Sequence, residues 1–235
     1  MTALIFCVCA LAQDGLSAKD LSKMLEAARA VYDVNAAQSA RDQIRAQPES
    51  PFVLHERVVA ALLVAELHRI DWEQLPESDI AHRRPLGEKI DEAAEDGLAA
   101  LEKLPQDSEY FRMRADLLGV MIRSDFRAKK YRKDMEASAA KAVELDPNNA
   151  RAYVSQAKPF VFAKENEGGD PAKAIELLSK ALELDSTLEP ARCLRGLAYQ
   201  KAGKNDLARA DWNLALEKNP QCKPAVDELK KLDRK

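Results

Sequence analysis

Glycine is scarce in this chain, at 8 of 235 residues. So few positions without a Cβ argue against a β-sandwich or barrel, whose tight turns use them, and against the glycine-rich loops that cradle phosphates in α/β enzymes. Long hydrophobic runs are missing too. No stretch approaches the roughly 18 apolar residues of a transmembrane helix. With 32% of residues charged, a multi-spanning membrane protein is excluded. Neither sign of charge dominates. The 36 Lys and Arg against 39 Asp and Glu leave a formal net charge of −3, so nothing global draws the chain to nucleic acid or to a membrane surface.

Catalytic signatures are also missing. There is no Gly-x-Gly-x-x-Gly, no Gly-Lys-Ser/Thr phosphate loop and no Gly-x-Ser-x-Gly elbow. His55-Glu56 opens as a zinc-protease helix would, but position 59 holds Val59, so the second histidine one turn on is absent. The other histidines, His68 and His82, are too far along the chain to share adjacent helical turns with His55. No cysteine pair has zinc-ligand spacing outside Cys7-x-Cys9. Catalytic residues, metal ligands and cofactors are therefore not expected, and the chain reads as a non-enzyme.

What is present favours helices. Alanine makes up roughly one residue in six, and the 46% hydrophobic fraction is too high for a disordered chain. Residues 3–12, Ala-Leu-Ile-Phe-Cys-Val-Cys-Ala-Leu-Ala, form an apolar block ending in a small-x-small pattern. The block reads as a signal peptide over residues 1–12 that lacks its basic leading segment, which points to a periplasmic or secreted protein. The alternative is a buried helix edge in a cytoplasmic protein. Cys193 and Cys222 remain beyond that block and suit either a disulfide or two small buried hydrophobes.

The C-terminal third is repetitive. Residues 189–222 read as a helix with Leu194, Gly196, Leu197 and Tyr199, a turn at Gly203-Lys204-Asn205-Asp206, and a second helix with Ala208, Trp212, Ala215 and Leu216 that Pro220 closes. The same helix end recurs as Lys141-Ala142-Val143-Glu144-Leu145-Asp146-Pro147 and as Lys180-Ala181-Leu182-Glu183-Leu184-Asp185. This resembles the tetratricopeptide (TPR) repeat. Gly196, Tyr199, Gly203, Ala208, Trp212, Ala215 and Pro220 fill the family's positions in register, while Arg192 and Arg195 stand where Trp and Leu are usual. Pro147 and Pro220 lie 73 residues apart, two repeats of about 34 residues plus a few extra in the Lys164–Gly169 turn. Asp170 and Pro171 restart the helix as N-cap and first helical residue.

Upstream the match weakens but the hairpin rhythm persists. Ser17 and Asp20 form a capping box for a first pair that ends near Gln47. Ser50-Pro51 opens a helix whose partner is expected over Pro85–Leu104, after a long loop from Asp71 to Arg84. Ser108 is expected to cap the next. The predicted layout is divergent hairpins over 13–105, a degenerate TPR over 106–149, a TPR with an extended turn over 150–188, a TPR over 189–222 and a capping helix over 223–235. The expected fold is all-α, a right-handed superhelical solenoid of antiparallel helix hairpins.

The resemblance implies a concave groove lined by the second, fifth, ninth and twelfth positions of each first helix. These are Arg151, Val154, Lys158 and Val161 in one repeat, Pro190, Cys193, Leu197 and Gln200 in the next, and Met113, Asp116, Val120 and Arg123 in the weak one. Arg151, Val154, Lys158, Leu197, Gln200 and Arg123 are the candidate groove residues, with Arg151 and Lys158 facing solvent. An apolar floor with a few cations suits a peptide or helix with an acidic end. Arg123–Lys133, with six basic residues, reads as a solvated turn holding Phe126 and Tyr131 inside the hairpin, and the eight acids of Glu88–Glu109 nearly mirror it. Pro159 kinks its helix and, with Phe160, widens that repeat. Similar repeats occur in bacterial TPR proteins, including a periplasmic component of organic-acid transporters. The expected function is a non-catalytic scaffold for a protein or peptide partner, with no nucleic acid and no integral membrane span. The alternative is a small-molecule-binding component of a transport or envelope system.

Overall fold

The computed structural model describes residues 17–234, so the apolar block of residues 3–12 lies outside the described residues. Those described form eleven α-helices and no strands: α1 (Ala18–Ala30), α2 (Val34–Arg45), α3 (Pro51–Gln74), α4 (Ile80–Leu101), α5 (Ser108–Val120), α6 (Asp125–Leu145), α7 (Ala150–Phe162), α8 (Pro171–Leu184), α9 (Glu189–Lys201), α10 (Asn205–Lys218) and α11 (Lys223–Leu232). Among them, no helix is long and apolar enough to cross a membrane.

Short polar side chains place most of the starts. Ser17 accepts from the backbone N–H of Asp20, whose carboxylate reaches back to Ser17, the capping box read from the sequence. Asp33, Ser50, Asp79, Ser124, Asn149 and Asp170 cap their helices in the same way. At α5 the cap is Asp107, not Ser108. Ser108 takes the first helical position instead, and its hydroxyl donates to Ala142 O at 2.8 Å, tying α5 to α6.

Successive helices pair as antiparallel hairpins, and the first helices also touch one another in the series α1–α3–α5–α7–α9–α11. The second helices make no comparable contacts with one another among the described residues. A stack that is tight on one row and splayed on the other must curve, with the tight row inside. The odd-numbered helices therefore line the concave face.

Small residues set the close approaches. A Cβ at Gly97 would come within 2.8 Å of Leu117 Cδ2 and 3.0 Å of Ala61 Cβ, so glycine lets α3, α4 and α5 meet. A Cβ at Gly196 would overlap the Trp212 indole. Trp212 thus fills the space within the α9–α10 hairpin. It is fully buried, and its Nε1–H donates to Cys193 O at 3.1 Å. Arg195, the departure from the repeat pattern, pairs with Asp211 across the same hairpin at 2.7 and 2.8 Å.

Three features differ from expectation. The α3–α4 loop spans only residues 75–79, because Asp71–Gln74 continue α3 and α4 begins at Ile80 with Pro85 inside it. The charged His82-Arg83-Arg84 run followed by proline looks like a loop, but a helix tolerates the ring at the loss of one hydrogen bond. The Arg123–Lys133 run is mostly the first turns of α6 rather than a turn, and Phe126 is 78% exposed instead of tucked into the hairpin. Tyr131 does pack half-buried against the core. The opposed charge stretches do meet, since Arg123 and Arg127 both bind Asp91.

The two ends of the chain also touch. Tyr32, between α1 and α2, reaches Glu189 at the start of α9. Lys223 pairs with Asp71 at 2.7 Å, and Gln74 donates to Asp227 at 2.8 Å. The α1–α2 turn thus lies beside the N-terminal ends of α9 and α11.

Candidate binding groove

The concave row brings charges together at α3, α5 and α7. On α5, Arg112 and Asp116 sit one turn apart, so both side chains leave the same face. On α7, Arg151, Ser155 and Lys158 recur at four and three residues and share a face in the same way. Asp116 is the hub. It accepts from Lys158 Nζ at 2.7 Å and Ser155 Oγ at 2.8 Å on one oxygen, and from Arg112 Nη1 at 2.9 Å on the other. Glu66 on α3 lies 3.6 Å from Lys158, and Glu109 accepts from Arg112 Nε at 2.8 Å.

Burial by itself would raise the pKa of the Asp116 carboxyl, but the Lys158 ammonium and the Arg112 guanidinium outweigh it and hold Asp116 below the ordinary Asp value. Lys158 shows the mirror case. Desolvation opposes its charge, and Asp116 and Glu66 raise its pKa above the usual lysine value nonetheless. Asp116 is therefore held as the charged partner of Lys158 and Arg112 in a fixed geometry.

Arg151 differs. It is exposed, and its guanidinium makes no hydrogen bond or ion pair among the described residues. Its pKa is pulled below the usual arginine value, first by desolvation, then by the like charges of Arg112 and of Arg29 at the end of α1. Arg29 is half-buried, and its side chain likewise has no partner among the described residues. Around the start of α7, Arg151 and Arg29 thus lack the direct ion pairs that Arg112 has, although Glu109 and Asp185 attract Arg151 from further away.

The other candidates divide. Lys158 is not a free solvent-facing cation: it is half-buried and committed to Asp116. Arg123 is not a groove residue. Its side chain is 7% exposed and clamps Asp91 at 2.8 and 2.9 Å and Gly87 O at 3.1 Å, as a strut between α4 and the α5–α6 turn. The local register could not show this, because Asp91 comes from the previous hairpin. Val154 is buried scaffold in the α7–α9 core, and Leu197 is half-buried against that core. Gln200 is half-buried on α9. Arg29, Arg112, Ser155 and Glu66 were not singled out from the sequence; the Arg112/Asp116 spacing was the one available signal.

Two surface hollows flank the α3–α4 loop. One, of ≈ 380 Å³, is lined by Trp72, Arg83, Asp91 and Arg123 among others; the second, of ≈ 450 Å³, is lined by residues including Asp71, His82 and Lys89. Neither includes Pro159 or Phe160. Phe160 packs half-buried against the α7–α9 core, and its carbonyl accepts from Asp170 N. For a cation, one donor set stands out among the described residues: Glu189, Cys193 and Cys222 gather one ligand atom each within 4.8 Å. The sequence reading found no such set, because Cys222 lies far along the chain from the other two.

No family model matches the chain, and no curated protein matches it. Solved structures do. A thermophilic TPR protein of Thermus thermophilus, TTC0263, superposes with a TM-score of 0.57 at 16% identity, over 90% of this chain and 96% of the other. The fold is a TPR-like solenoid. YrrB, described as a TPR protein with an unusual peptide-binding site, aligns over 95% of this chain and 97% of its own at 15% identity, with a TM-score of 0.43. The MamA protein aligns over 87% and 92% at 18% identity, with a TM-score of 0.38. At such identities the likeness speaks to the solenoid alone.

Proposed function

We propose that this TPR-like solenoid is a non-catalytic scaffold that captures an acidic segment of a partner protein at the start of α7. The observation that carries the reading is Arg151: an exposed guanidinium without a partner, crowded by Arg29 and Arg112. An incoming carboxylate relieves that repulsion and gains a bidentate hydrogen bond. The Asp116 network supplies the fixed wall beside it. Because the wall of Asp116, Arg112 and Lys158 is already held, little ordering cost falls on it when the partner binds.

The test is affinity capture from the source cell's extract with wild type, Arg151→Glu and Arg29→Glu, each shown to be helical by circular dichroism. A protein enriched by wild type, lost with both variants, and released as salt is raised supports the reading. Equal capture by all three moves the site away from α7. No enriched protein leaves the scaffold reading without support and favours the small-molecule alternative.

A further inference from the structure

The α1–α2 turn, the start of α9 and the start of α11 converge on one cluster. Glu189 and Cys193 are one helical turn apart on α9, so both side chains point the same way. Cys222 is the N-cap residue of α11, and its Sγ lies 3.2 Å from that of Cys193. The Tyr32 hydroxyl donates to Glu189 Oε1 at 2.6 Å and lies 3.6 Å from Cys222 Sγ. Cys222 is fully buried, and Glu189 and Cys193 are half-buried. Tyr32 holds this position with φ at 53°, a left-handed backbone that a bulky side chain rarely adopts.

The charge balance of this cluster is unusual in the molecule. All four groups are acids that can lose a proton, yet no Lys or Arg hydrogen-bonds or ion-pairs with any of them among the described residues. The two arginines nearby on α9 are turned elsewhere: Arg195 binds Asp211 in bidentate fashion, and Arg192 lies 3.8 Å from the same carboxylate. By contrast, the buried Asp116 and Asp211 each have cationic partners.

We propose that Glu189, Cys193 and Cys222 form a binding site for a thiolate-seeking divalent cation of the zinc class, with Tyr32 orienting the Glu189 carboxylate. Zinc takes sulfur at about 2.3 Å and carboxylate oxygen at about 2.0–2.2 Å in a tetrahedron, which separates two bound sulfurs by somewhat under 4 Å. The thiols need only a slight rotation apart to reach that spacing. Two thiol protons leave to solvent as the ion enters, the Glu189 carboxylate supplies the third ligand, and a water completes the tetrahedron. Two sulfurs select against magnesium and calcium. Glu189 places a third ligand atom beside the two sulfurs, which a disulfide would not use and a cation would, and that is why the cation is the favoured occupant. The bound ion would pin α9 to α11 and, through Tyr32, fasten the first hairpin to the last. This site stands independently of the Arg151 reading.

The test uses the full chain carrying Cys7→Ser and Cys9→Ser, so that Cys193 and Cys222 are the two thiols present. It is reduced with a phosphine, desalted under nitrogen and titrated with cobalt(II) chloride. The expected result is one cobalt per chain, a sulfur-to-cobalt charge-transfer band and intense tetrahedral visible bands, all bleached by added zinc. Cys193→Ser and Cys222→Ser should abolish the charge-transfer spectrum. Glu189→Gln alters a half-buried side chain without touching the core and keeps the test valid if a cysteine variant fails to fold; it should weaken cobalt binding at least about tenfold, and Tyr32→Phe should weaken it about 10–100-fold, the usual cost of losing an outer-shell partner. Absence of the charge-transfer band in the reduced chain overturns the proposal. So does a chain that, once the reductant is gone, takes up no metal and has a mass lower by two hydrogens, the signature of a Cys193–Cys222 disulfide. A band unchanged by Glu189→Gln and Tyr32→Phe also overturns it, since two thiols alone would then bind the metal.

Discussion

The helices of the first half are long and unequal, with 24 residues in α3 and 22 in α4, whereas α7 to α10 keep to 13 or 14 each. The cores differ accordingly. One large cluster runs from Leu21 in α1 to Met121 after α5, with a small one of Ala115, Leu118, Met135 and Ala139 between α5 and α6, while the rest of the chain splits into a cluster over α7–α9 and another around Trp212 and Cys222. The first half is stabilised by shared burial across several helices. The second half is a series of small units, each of which contacts mainly its neighbours, as in a nearest-neighbour array. Regular repeats therefore give locality, and irregular ones give a single larger core.

This contrast can be broken most forcefully at the residues that serve only one half or join the two. Trp212→Ala should cost about 3–5 kcal/mol, since it empties the fully buried indole site. Hydrogen exchange should then rise in α9–α11 and stay low in α3–α5; a uniform rise would erase the distinction between the halves. Asp116 joins α5 to α7, and Asp116→Ala leaves Lys158 and Arg112 without their shared partner, so urea denaturation should show a loss of about 3–5 kcal/mol felt in both halves. The same hub gives a pH dependence. Its folded pKa lies below the ordinary 3.8, so its contribution is complete above that value and is lost as pH falls through the lower, folded value. Asp116→Asn should flatten that acid limb of the unfolding curve, and an unchanged limb would assign the acid sensitivity elsewhere.

Smaller effects sharpen the picture. Tyr32→Phe removes the hydrogen bond that joins the first hairpin to α9 and should cost about 1 kcal/mol, with faster exchange confined to α1–α2 and α11. Arg151→Glu should leave the unfolding midpoint within about 0.5 kcal/mol of wild type, as exposed substitutions usually do. A large shift there would mean that Arg151 is part of the scaffold.

Helix starts were legible because they depend on a few adjacent atoms. The Ser17/Asp20 capping box, Ser50-Pro51 and Asp170-Pro171 were readable as they stand. The α9–α10 hairpin was readable because Gly196, Tyr199, Gly203, Ala208, Trp212, Ala215 and Pro220 fall in the register of the repeat. The α3–α4 loop was misjudged because Pro85 and a charged run are loop-like in composition, although α4 absorbs them. In the groove, helical register gave an expected inner row but neither the burial nor the ionic state of its members, and Arg123 binds Asp91 instead. Arg151 and Lys158 share a face of α7, yet one is free and the other is neutralised by an acid from the preceding hairpin.

The sequence by itself determined the helical class, the hairpin rhythm and most helix boundaries, because capping, periodicity and small-residue packing act over a few residues to one repeat. Tertiary structure alone decided which charges remain unpaired, that Arg123 is a strut and that Tyr32 meets Glu189 and Cys222. Those encounters depend on curvature summed over the whole stack of hairpins, and no single repeat encodes that sum.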